Sequence, residues 1–494
     1  MGASDSEARE FAAAFRSFLE WVHVDRAEDN AVLALLREYL GEGASEQSVV
    51  TRTLPPFEHV NLQTALDAWS REPERDVAIH GVSLPPHFGG INLQQLLTGG
   101  PMPPIRLSAP ALVDLPNGPG STLACLRTAL LMVSDPDGRY VIMINPPSEH
   151  EPHPAFAVEI AGLSVEAAQA VHARLAELRR ALNVYRGHLL DVSVTGMGEI
   201  SLQFGEVPQT AREDVVLPEA VLGRVERHAL GIAAHRQALL EAGQHLKRGL
   251  LLYGPPGTGK THTTRYLIGR MTGYTRFVLT GRSLHAIGSV AELARDLQPA
   301  VIVLEDVDLV AEDRSFGPSP TSSVLFDLLD AMDGAAPDAD LLFLLTTNRA
   351  DLLEPALAAR PGRVDVAIQI DLPNQEGRER LLALYGRAIP LRLSTEEVRE
   401  IVERTDGVTA SFVKELLRRA MLEALQDDAS APLVTAAHTG RALDDLLDAG
   451  QQLTRSLLGV GNDPQTLPAG GGAGALPPQI GHGFVGYRRG RFFP

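Results

Sequence analysis

Eight consecutive residues near the middle of the chain have the types and spacing of a phosphate-binding loop. They lie between the apolar run 250–253 and a helix-compatible stretch, and they are Gly254, Pro255, Pro256, Gly257, Thr258, Gly259, Lys260 and Thr261. The glycines let backbone N–H groups turn toward phosphate oxygens, and the N-terminus of the following helix adds a partial positive charge. Lys260 would reach the β- and γ-phosphates, and the Thr261 hydroxyl would ligate Mg²⁺. The pattern predicts nucleoside triphosphate binding, with the next residue, His262, included in the site; the alternative is a chance Gly/Pro turn.

Three apolar runs after this loop predict the sheet that would carry it. The runs 276–280, 300–304 and 341–345 alternate with helical patterns. This alternation is typical of a parallel sheet covered by helices on both faces, in which ligands bind at the carboxyl ends of the strands. We therefore predict the fold class α/β, with a P-loop αβα nucleotide-binding domain.

Polar residues follow two of these runs at the ends where a triphosphate would bind. Glu305 and Asp306 come directly after the run 301–304, and Thr346, Thr347 and Asn348 follow the run 341–345. A lone Asn after a strand could simply start a turn. Beside the phosphate loop, the acids and the Asn instead indicate one constellation for a metal-bound triphosphate.

Over roughly 218–458, these motifs and their order resemble the AAA ATPases, the oligomeric P-loop motors that use ATP and Mg²⁺. The resemblance implies that Glu305 is the Walker B acid that holds the Mg²⁺ shell, that Asp306 polarises the attacking water, and that Asn348 is the sensor that contacts the γ-phosphate or the water. Most of the family has Asp then Glu, whereas this chain has Glu then Asp, as in the mitochondrial Rieske-protein translocase branch. A hydrolysing site and a slow or silent site both stay open, because geometry decides how well an acid acts as a base.

The segment 348–365 resembles the second region of homology of the same family. In that family, two arginines at these spacings reach the nucleotide of the next subunit, which assigns the role to Arg360 and Arg363. A guanidinium on the γ-phosphate stabilises the charge of the transition state. The resemblance therefore implies a homo-oligomer, a ring that is most often a hexamer; the alternative is that both are surface arginines on a Pro/Gly turn.

Composition restricts the partners and the location. The 44 basic and 62 acidic residues give a net charge of −18, which disfavours nucleic acid and anionic membranes as partners. The chain has a single cysteine, Cys125, which excludes an intramolecular disulfide and fits a reducing compartment. We expect Cys125 to be a small buried residue. The chain shows no basic leader and no apolar run of about 18 residues. We expect a cytoplasmic protein without a membrane span.

Pattern shifts along the chain predict four regions. Residues 1–205 are expected to form an α+β region that recognises a protein substrate or partner. It would contain helices at 11–22, 32–40 and 165–182, a loop at 99–110, and strands at 139–144, 155–160, 189–194 and 199–204. Residues 206–375 would form the nucleotide-binding domain, and 459–494 a flexible Gly/Pro-rich tail. Residues 376–458 would form a helical lid, with a helix over 376–388 and a Ser394–Glu397 capping box that opens the next helix. By family resemblance, the lid segment 407–412 would close on the adenine end of the nucleotide.

Two other segments bear on function. By family resemblance, a pore loop that grips peptide would carry an aromatic residue, but its nearest match here is Ala286, Ile287 and Gly288, which makes threading doubtful; Phe316 could sit in a second pore loop. His150 and His153 could suggest a metal, although a solvated turn is the simpler interpretation.

Three functions compete. The first is an ATPase ring that remodels or moves a protein. The second is a weakly hydrolysing, ATP-gated scaffold, and the third, DNA remodelling, is opposed by the acidic balance.

Overall fold

The computed structural model describes most of the chain. The described residues are 31–83, 91–98, 105–146, 155–195, 199–308, 339–349 and 364–448, with residues 14, 328, 330–332 and 351. Apart from residue 14, the predicted helix at 11–22 lies outside them, as does the tail at 459–494.

The first region is built on a seven-stranded sheet with helices on both faces. Its strands are β1 (Val50–Leu54), β2 (Asp76–Ser83), β3 (Arg106–Ser108), β4 (Ala111–Gly118), β5 (Ser121–Asp135), β6 (Gly138–Asn145) and β7 (Phe156–Ala161). Its helices are α1 (Ala31–Leu40), α2 (His59–Trp69), α3 (Leu93–Thr98) and α4 (Val165–Ala181). The strand order is β1-β7-β6-β5-β2-β3, with β4 also paired to β5. All described pairings in this sheet are antiparallel.

Alternation along β5 explains why both faces are covered. Leu131 and Val133 pack into the cluster that contains α2 and α4, whereas Leu130 and Met132 pack into the cluster that contains α1 and α3. Successive side chains of a strand point to opposite faces, so apolar residues at consecutive positions require cover on both sides. The predicted α+β character of this region is confirmed.

The predicted loop at 99–110 is wrong at one point. Arg106–Ser108 form the short strand β3, which pairs with Gly81–Ser83 of β2. The backbone approaches so closely here that a Cβ at Gly81 would lie 2.2 Å from the Ala109 carbonyl oxygen. A neighbouring strand decided this pairing, which the Pro/Gly-rich local pattern could not show.

The second sheet carries the phosphate loop and confirms the predicted fold class. Its order is β14-β10-β13-β12-β11-β8-β9, parallel except for the antiparallel edge strand β9. Its strands are β8 (Leu189–Val194), β9 (Ile200–Phe204), β10 (Arg248–Tyr253), β11 (Thr275–Thr280), β12 (Ala300–Glu305), β13 (Leu341–Thr347) and β14 (Val366–Gln369). Helices of this part are α5 (Glu219–Glu226), α6 (Arg236–Glu241), α7 (Lys260–Arg270) and α8 (Ile287–Asp296).

The strands β8 and β9 lie in a different sheet from the one that the sequence division implied. That division kept both with residues 1–205, but Leu189–Asp191 pair in parallel with Arg276–Val278 of β11. The β8–β9 hairpin therefore extends the nucleotide-binding sheet. We propose that the boundary between the first two domains lies just before Leu189; the rest of the predicted division stays a proposal.

The first region contacts this sheet through apolar packing, since Cys125 and Tyr185 share one buried cluster with Leu190 of β8. Inside the first region, the Tyr185 hydroxyl donates to the Phe57 carbonyl oxygen at 2.7 Å, just before the chain enters β8. Cys125 is buried in the apolar cluster at this contact, and burial raises the pKa of its thiol to about 11. The expectation of a small buried residue at Cys125 is confirmed.

A helical unit follows β14, as predicted for the lid. Its helices are α9 (Gln375–Gly386), α10 (Thr395–Arg404), α11 (Ala410–Asp427) and α12 (Ala436–Leu447), packed around one apolar cluster. The predicted capping box is present: the Ser394 side chain accepts from the Glu397 N–H, and the Glu397 carboxylate accepts from the Ser394 N–H. No helix within the described part of the chain is long and apolar enough to cross a membrane.

A buried ion pair ties together the starts of the central strands. Asp340 precedes β13, is 1% exposed, and accepts hydrogen bonds from Arg248 Nη1 and from the Tyr274 hydroxyl, both at 2.9 Å. Arg248 begins β10, and Tyr274 directly precedes β11. The opposite ends of β10 and β13 carry predicted site residues, so Asp340 helps to set the strand positions on which the site depends.

We expect the change Asp340→Ala to lower the free energy of unfolding by about 3–5 kcal/mol, because it leaves the Arg248 guanidinium buried without its carboxylate. Chemical denaturation followed by circular dichroism measures this loss. Asp444→Ala, which removes the partner of Arg404 from an exposed pair, is the control and should have a much smaller effect. Equal losses in the two variants would contradict this account.

Candidate functional site

The loop between β10 and α7 has the backbone shape of a phosphate cradle. Gly254, Gly257 and Gly259 all have positive φ, of 148°, 78° and 102°. A Cβ at Gly254 would lie 2.1 Å from the Ile370 carbonyl oxygen, so only glycine fits there. The following helix begins at Lys260 and points its N-terminus into the loop. This shape fits the phosphate groups of ATP, since both the open backbone and the helix end favour an anion.

Lys260 lies inside this cradle. It is 6% exposed, and its Nζ donates to the carbonyl oxygens of Gly254 and Pro255, both at 2.8 Å. Burial lowers the pKa of Lys260 to about 8, against the opposing effect of Asp306 and Asp308. Neutral carbonyl groups are thus its direct partners, and phosphate oxygens would be stronger ones.

The two predicted acids lie at the end of β12, on the same edge of the sheet. Glu305 is half-buried, and burial, followed by the neighbouring charge of Asp306, raises the pKa of its carboxyl. Such a carboxyl favours a nearby cation, which is consistent with the predicted Mg²⁺ ligand set of Thr261 and Glu305.

Asp306 has an uncommon backbone conformation, and a hydrogen bond to Thr346 helps to hold it. Its φ is +51°, which is uncommon for a residue other than glycine, and its N–H donates to Thr346 Oγ1 at 3.1 Å. Residues held in such conformations occur often at functional sites. The contact joins the turn after β12 to the end of β13.

Asn348 meets the second acid directly. Its Nδ2 donates to Asp306 Oδ1 at 3.4 Å, and its own backbone N–H donates to Asp308 Oδ1 at 3.1 Å. The structure therefore brings Asn348 and Asp306 together, as the constellation requires, and Asp306 and Asp308 both influence the charge of Lys260. The roles of these residues in catalysis stay predictions.

The lid contacts the phosphate loop at its tip. The Ser411 N–H donates to the Gly257 carbonyl oxygen at 3.2 Å, and a Cβ at Gly257 would lie 2.9 Å from Ser411 Oγ. Ser411 belongs to the 407–412 segment, which the resemblance placed at the adenine end of the nucleotide. The contact brings the start of α11 against the phosphate loop, and the position at the adenine end stays a prediction.

Two cavities flank the loop where the base of a nucleotide could bind. One, of about 310 Å³, is lined by Val216, Thr258 and Ala410 among others. The other, of about 660 Å³, is lined by His262, Asp214 and Tyr385 among others, and the His262 Nε2 lies 3.2 Å from the Asp214 carbonyl oxygen. Sequence reasoning named His262, Thr258 and the segment that contains Ala410, but it missed the other three, because they come from separate segments without a shared motif.

Other candidates have different outcomes. Ala286 and Ile287 are buried at the start of α8, whereas Gly288 is exposed, so this segment presents no apolar side chain to a peptide. Arg360, Arg363, Phe316, His150 and His153 lie outside the described residues. Within the residues that the structure describes, no group of three or more His, Cys, Asp or Glu could hold a metal ion.

Comparison with known proteins identifies the central domain. Residues 250–372 match the family described as "ATPase family associated with various cellular activities (AAA)". Protein CdcH of Halobacterium salinarum is 30% identical over 272 residues, which cover 53% of this chain and 36% of that protein. Proteasome-activating nucleotidase 1 of Haloferax volcanii is 32% identical over 254 residues, which cover 49% of this chain and 57% of that protein. ATP-dependent zinc metalloprotease FtsH of Alkalihalophilus pseudofirmus is 33% identical over 218 residues, which cover 42% of this chain and 31% of that protein.

The aligned parts span about a third to just over half of the length of these relatives. The predicted AAA resemblance is confirmed for the central segment, and the likeness to the Rieske-protein translocase branch stays a prediction. The predicted enzyme class, an ATPase, and the predicted cofactors, ATP and Mg²⁺, are those of the matched family. Residues 250–372 of this chain are therefore an AAA ATPase domain with homologues across the AAA+ family.

Proposed function

We propose that this chain binds and hydrolyses ATP in an oligomeric ring and uses the energy to remodel or move a protein partner, in a chaperone-like role in the cytoplasm. The observation that carries the proposal is the meeting of three separate segments at one sheet edge. Lys260 follows β10, Asp306 follows β12, and Asn348 follows β13. Together they would offer a phosphate ligand, an acid and an amide, the groups that we propose for phosphoryl transfer to water.

Each residue has a role that its surroundings support. The loop at 254–259 would wrap the phosphates, and Lys260 would exchange its carbonyl partners for phosphate oxygens. Thr261 and Glu305 would hold Mg²⁺, which neutralises charge on the phosphates when bound. Asp306 would accept a proton from the attacking water or orient it, and Asn348 would fix the Asp306 carboxylate through the contact at 3.4 Å.

The ring rests on Arg360 and Arg363, which would reach the site of the neighbouring subunit in a hexamer. Two of the matched relatives are named as a proteasome-activating nucleotidase and an ATP-dependent protease, so both names refer to the handling of proteins. We extend that substrate class to this chain, with the region before Leu189 as the part that holds the protein partner.

A second function deserves a test. A weakly hydrolysing, ATP-gated scaffold is favoured by the Glu–Asp order of the acids and by the burial of Ile287, in the segment that most nearly matches the family's pore loop. The scaffold would bind ATP and assemble without turnover, whereas the motor would hydrolyse faster as it assembles.

We expect Asp306→Asn to lower kcat by about 10²-fold or more while ATP affinity stays nearly unchanged, because the amide cannot accept the proton of the water. Steady-state phosphate release and a fluorescent ATP analogue measure the two quantities. Asp137→Asn, in the exposed turn between β5 and β6, is the matched control and should leave both unchanged. A fully active Asp306→Asn enzyme would require a different acid.

The affinity for ATP should fall as the pH rises above about 8. Only the ammonium form of Lys260 pairs with phosphates, and burial lowers the pKa of Lys260 in the free protein to about 8. Above that pH, binding requires proton uptake, so the association constant should drop about tenfold per pH unit until the pKa of the complex is reached. Titrations from pH 7 to 9.5 test this, with Lys260→Arg as a variant whose charge persists and whose curve should be flat. A flat wild-type curve would contradict the prediction.

Arg363→Ala should lower turnover by about 10³-fold while ATP binding persists, because the site would lose a cation that stabilises the transition state. Turnover and oligomeric mass should be measured across a protein concentration series, with and without ATP. In mixed rings, the Arg363→Ala subunit should regain activity beside a Lys260→Ala subunit, since each supplies what the other lacks. Turnover that is independent of assembly would argue against shared sites, and assembly without turnover would favour the scaffold.

A further inference from the structure

We propose that Asp308 is a positioning residue for ATP hydrolysis, which holds Asn348 and Asp306 at their working separation by clamping the turn after β12 to the end of β13. The proposal rests on the ATPase function proposed above. It gives a role to a buried acid that neither the phosphate loop nor the metal site requires.

The clamp is formed by one carboxylate oxygen. Asp308 is 5% exposed, and its Oδ1 accepts from Thr347 Oγ1 at 2.9 Å and from the Asn348 N–H at 3.1 Å. Thr347 is itself fully buried. Hydrogen bonds from two donors to a buried carboxylate are charge-assisted and geometrically restrictive, so Asp308 fixes both the strand end and the backbone that carries the Asn348 side chain.

Contacts in the reverse direction complete the clamp. The Asp306 N–H donates to Thr346 Oγ1 at 3.1 Å, and the Val307 N–H donates to the Thr346 carbonyl oxygen at 3.0 Å. Residues 306–308 are thus joined to residues 346–348 by hydrogen bonds in both directions. These bonds support the positive φ of Asp306, a conformation that persists only when its surroundings determine it.

The position of the clamp in the sheet explains why side chains are needed. The parallel register of β12 and β13 runs from Ala300↔Leu341 to Leu304↔Leu345. Beyond that pair the chain after β12 turns, and the regular ladder no longer sets the separation of the two segments. Asp308, Thr346 and Thr347 continue the connection with side-chain hydrogen bonds, at the point where the reacting groups would lie.

Asp308 also contributes charge, and the two contributions can be separated. Its carboxylate favours the charged form of Lys260, after the larger effect of Asp306. Asp308→Asn keeps an oxygen that can accept from Thr347 and Asn348 but removes the negative charge. Asp308→Ala removes both.

The test compares turnover with ATP affinity at pH 7, below the pKa of about 8 that Lys260 has in the wild type. Asp308→Asn reports any effect that the lost charge has on Lys260. We expect Asp308→Ala to lower kcat by about 10²-fold, the effect of a misplacement of about 1 Å, with ATP affinity within about threefold of wild type. Asp308→Asn should retain kcat within about threefold. Thr347→Val, which deletes one donor, should lower kcat, and Thr347→Ser, which restores the hydroxyl, should recover it.

Hydrogen exchange provides a readout that needs no turnover. Loss of the acceptor should speed exchange of the Asn348 amide in the peptide 341–349 of Asp308→Ala, while Asp308→Asn should match wild type. If Asp308→Ala fails to fold, the Thr347 pair decides the question by both measurements. The proposal is wrong if Asp308→Ala and Thr347→Val keep full kcat, if affinity and kcat fall together, or if exchange at Asn348 is unchanged. A wild-type protein without turnover would contradict the proposed ATPase function. The hydrogen exchange of the Asn348 amide would still decide whether the clamp exists.

Discussion

The parallel pairing of β13 with β10 and β12 is the constraint on which the site depends. Tyr253 pairs with Thr347, and Leu304 pairs with Leu345, so the ends of three strands meet at one edge of the sheet. Apolar residues buried on both faces hold these strands in place, and the Arg248–Asp340 pair links the start of β10 to the residue before β13. Groups that are distant in sequence come within hydrogen-bond distance because the strands run in one direction.

Bringing these groups together has an electrostatic cost. Burial lowers the pKa of Lys260 and raises the pKa of Glu305, so each loses some preference for its charged form. The nearby acids offset part of this effect at Lys260, and a bound triphosphate with its metal would offset more. The positive φ of Asp306 adds conformational strain at the same place. Desolvation and strain therefore make this region less stable without a ligand, and a highly charged ligand would relieve part of that cost. The rest of the sheet must be stable enough to compensate for it.

The N-terminal region shares an apolar cluster with the far side of the same sheet. The cluster includes Cys125 and Tyr185 of that region and Leu190 of β8. A rearrangement of β8 would change the contacts of the region that we propose holds a protein partner.

The sequence by itself determined the elements whose signals are local. The phosphate loop, the strands around it, the lid helices and the Ser394–Glu397 capping box follow from residue spacing, backbone restrictions and contacts within a few positions. Tertiary structure alone decided that β8 and β9 join the second sheet, that Ile287 is buried, and that Asp308 accepts hydrogen bonds from Thr347 and Asn348. The roles of Arg360 and Arg363 stay predictions from sequence. The physical reason is that periodicity reports which face of an element is apolar, whereas the identity of its partner depends on long-range packing between segments that no local pattern records.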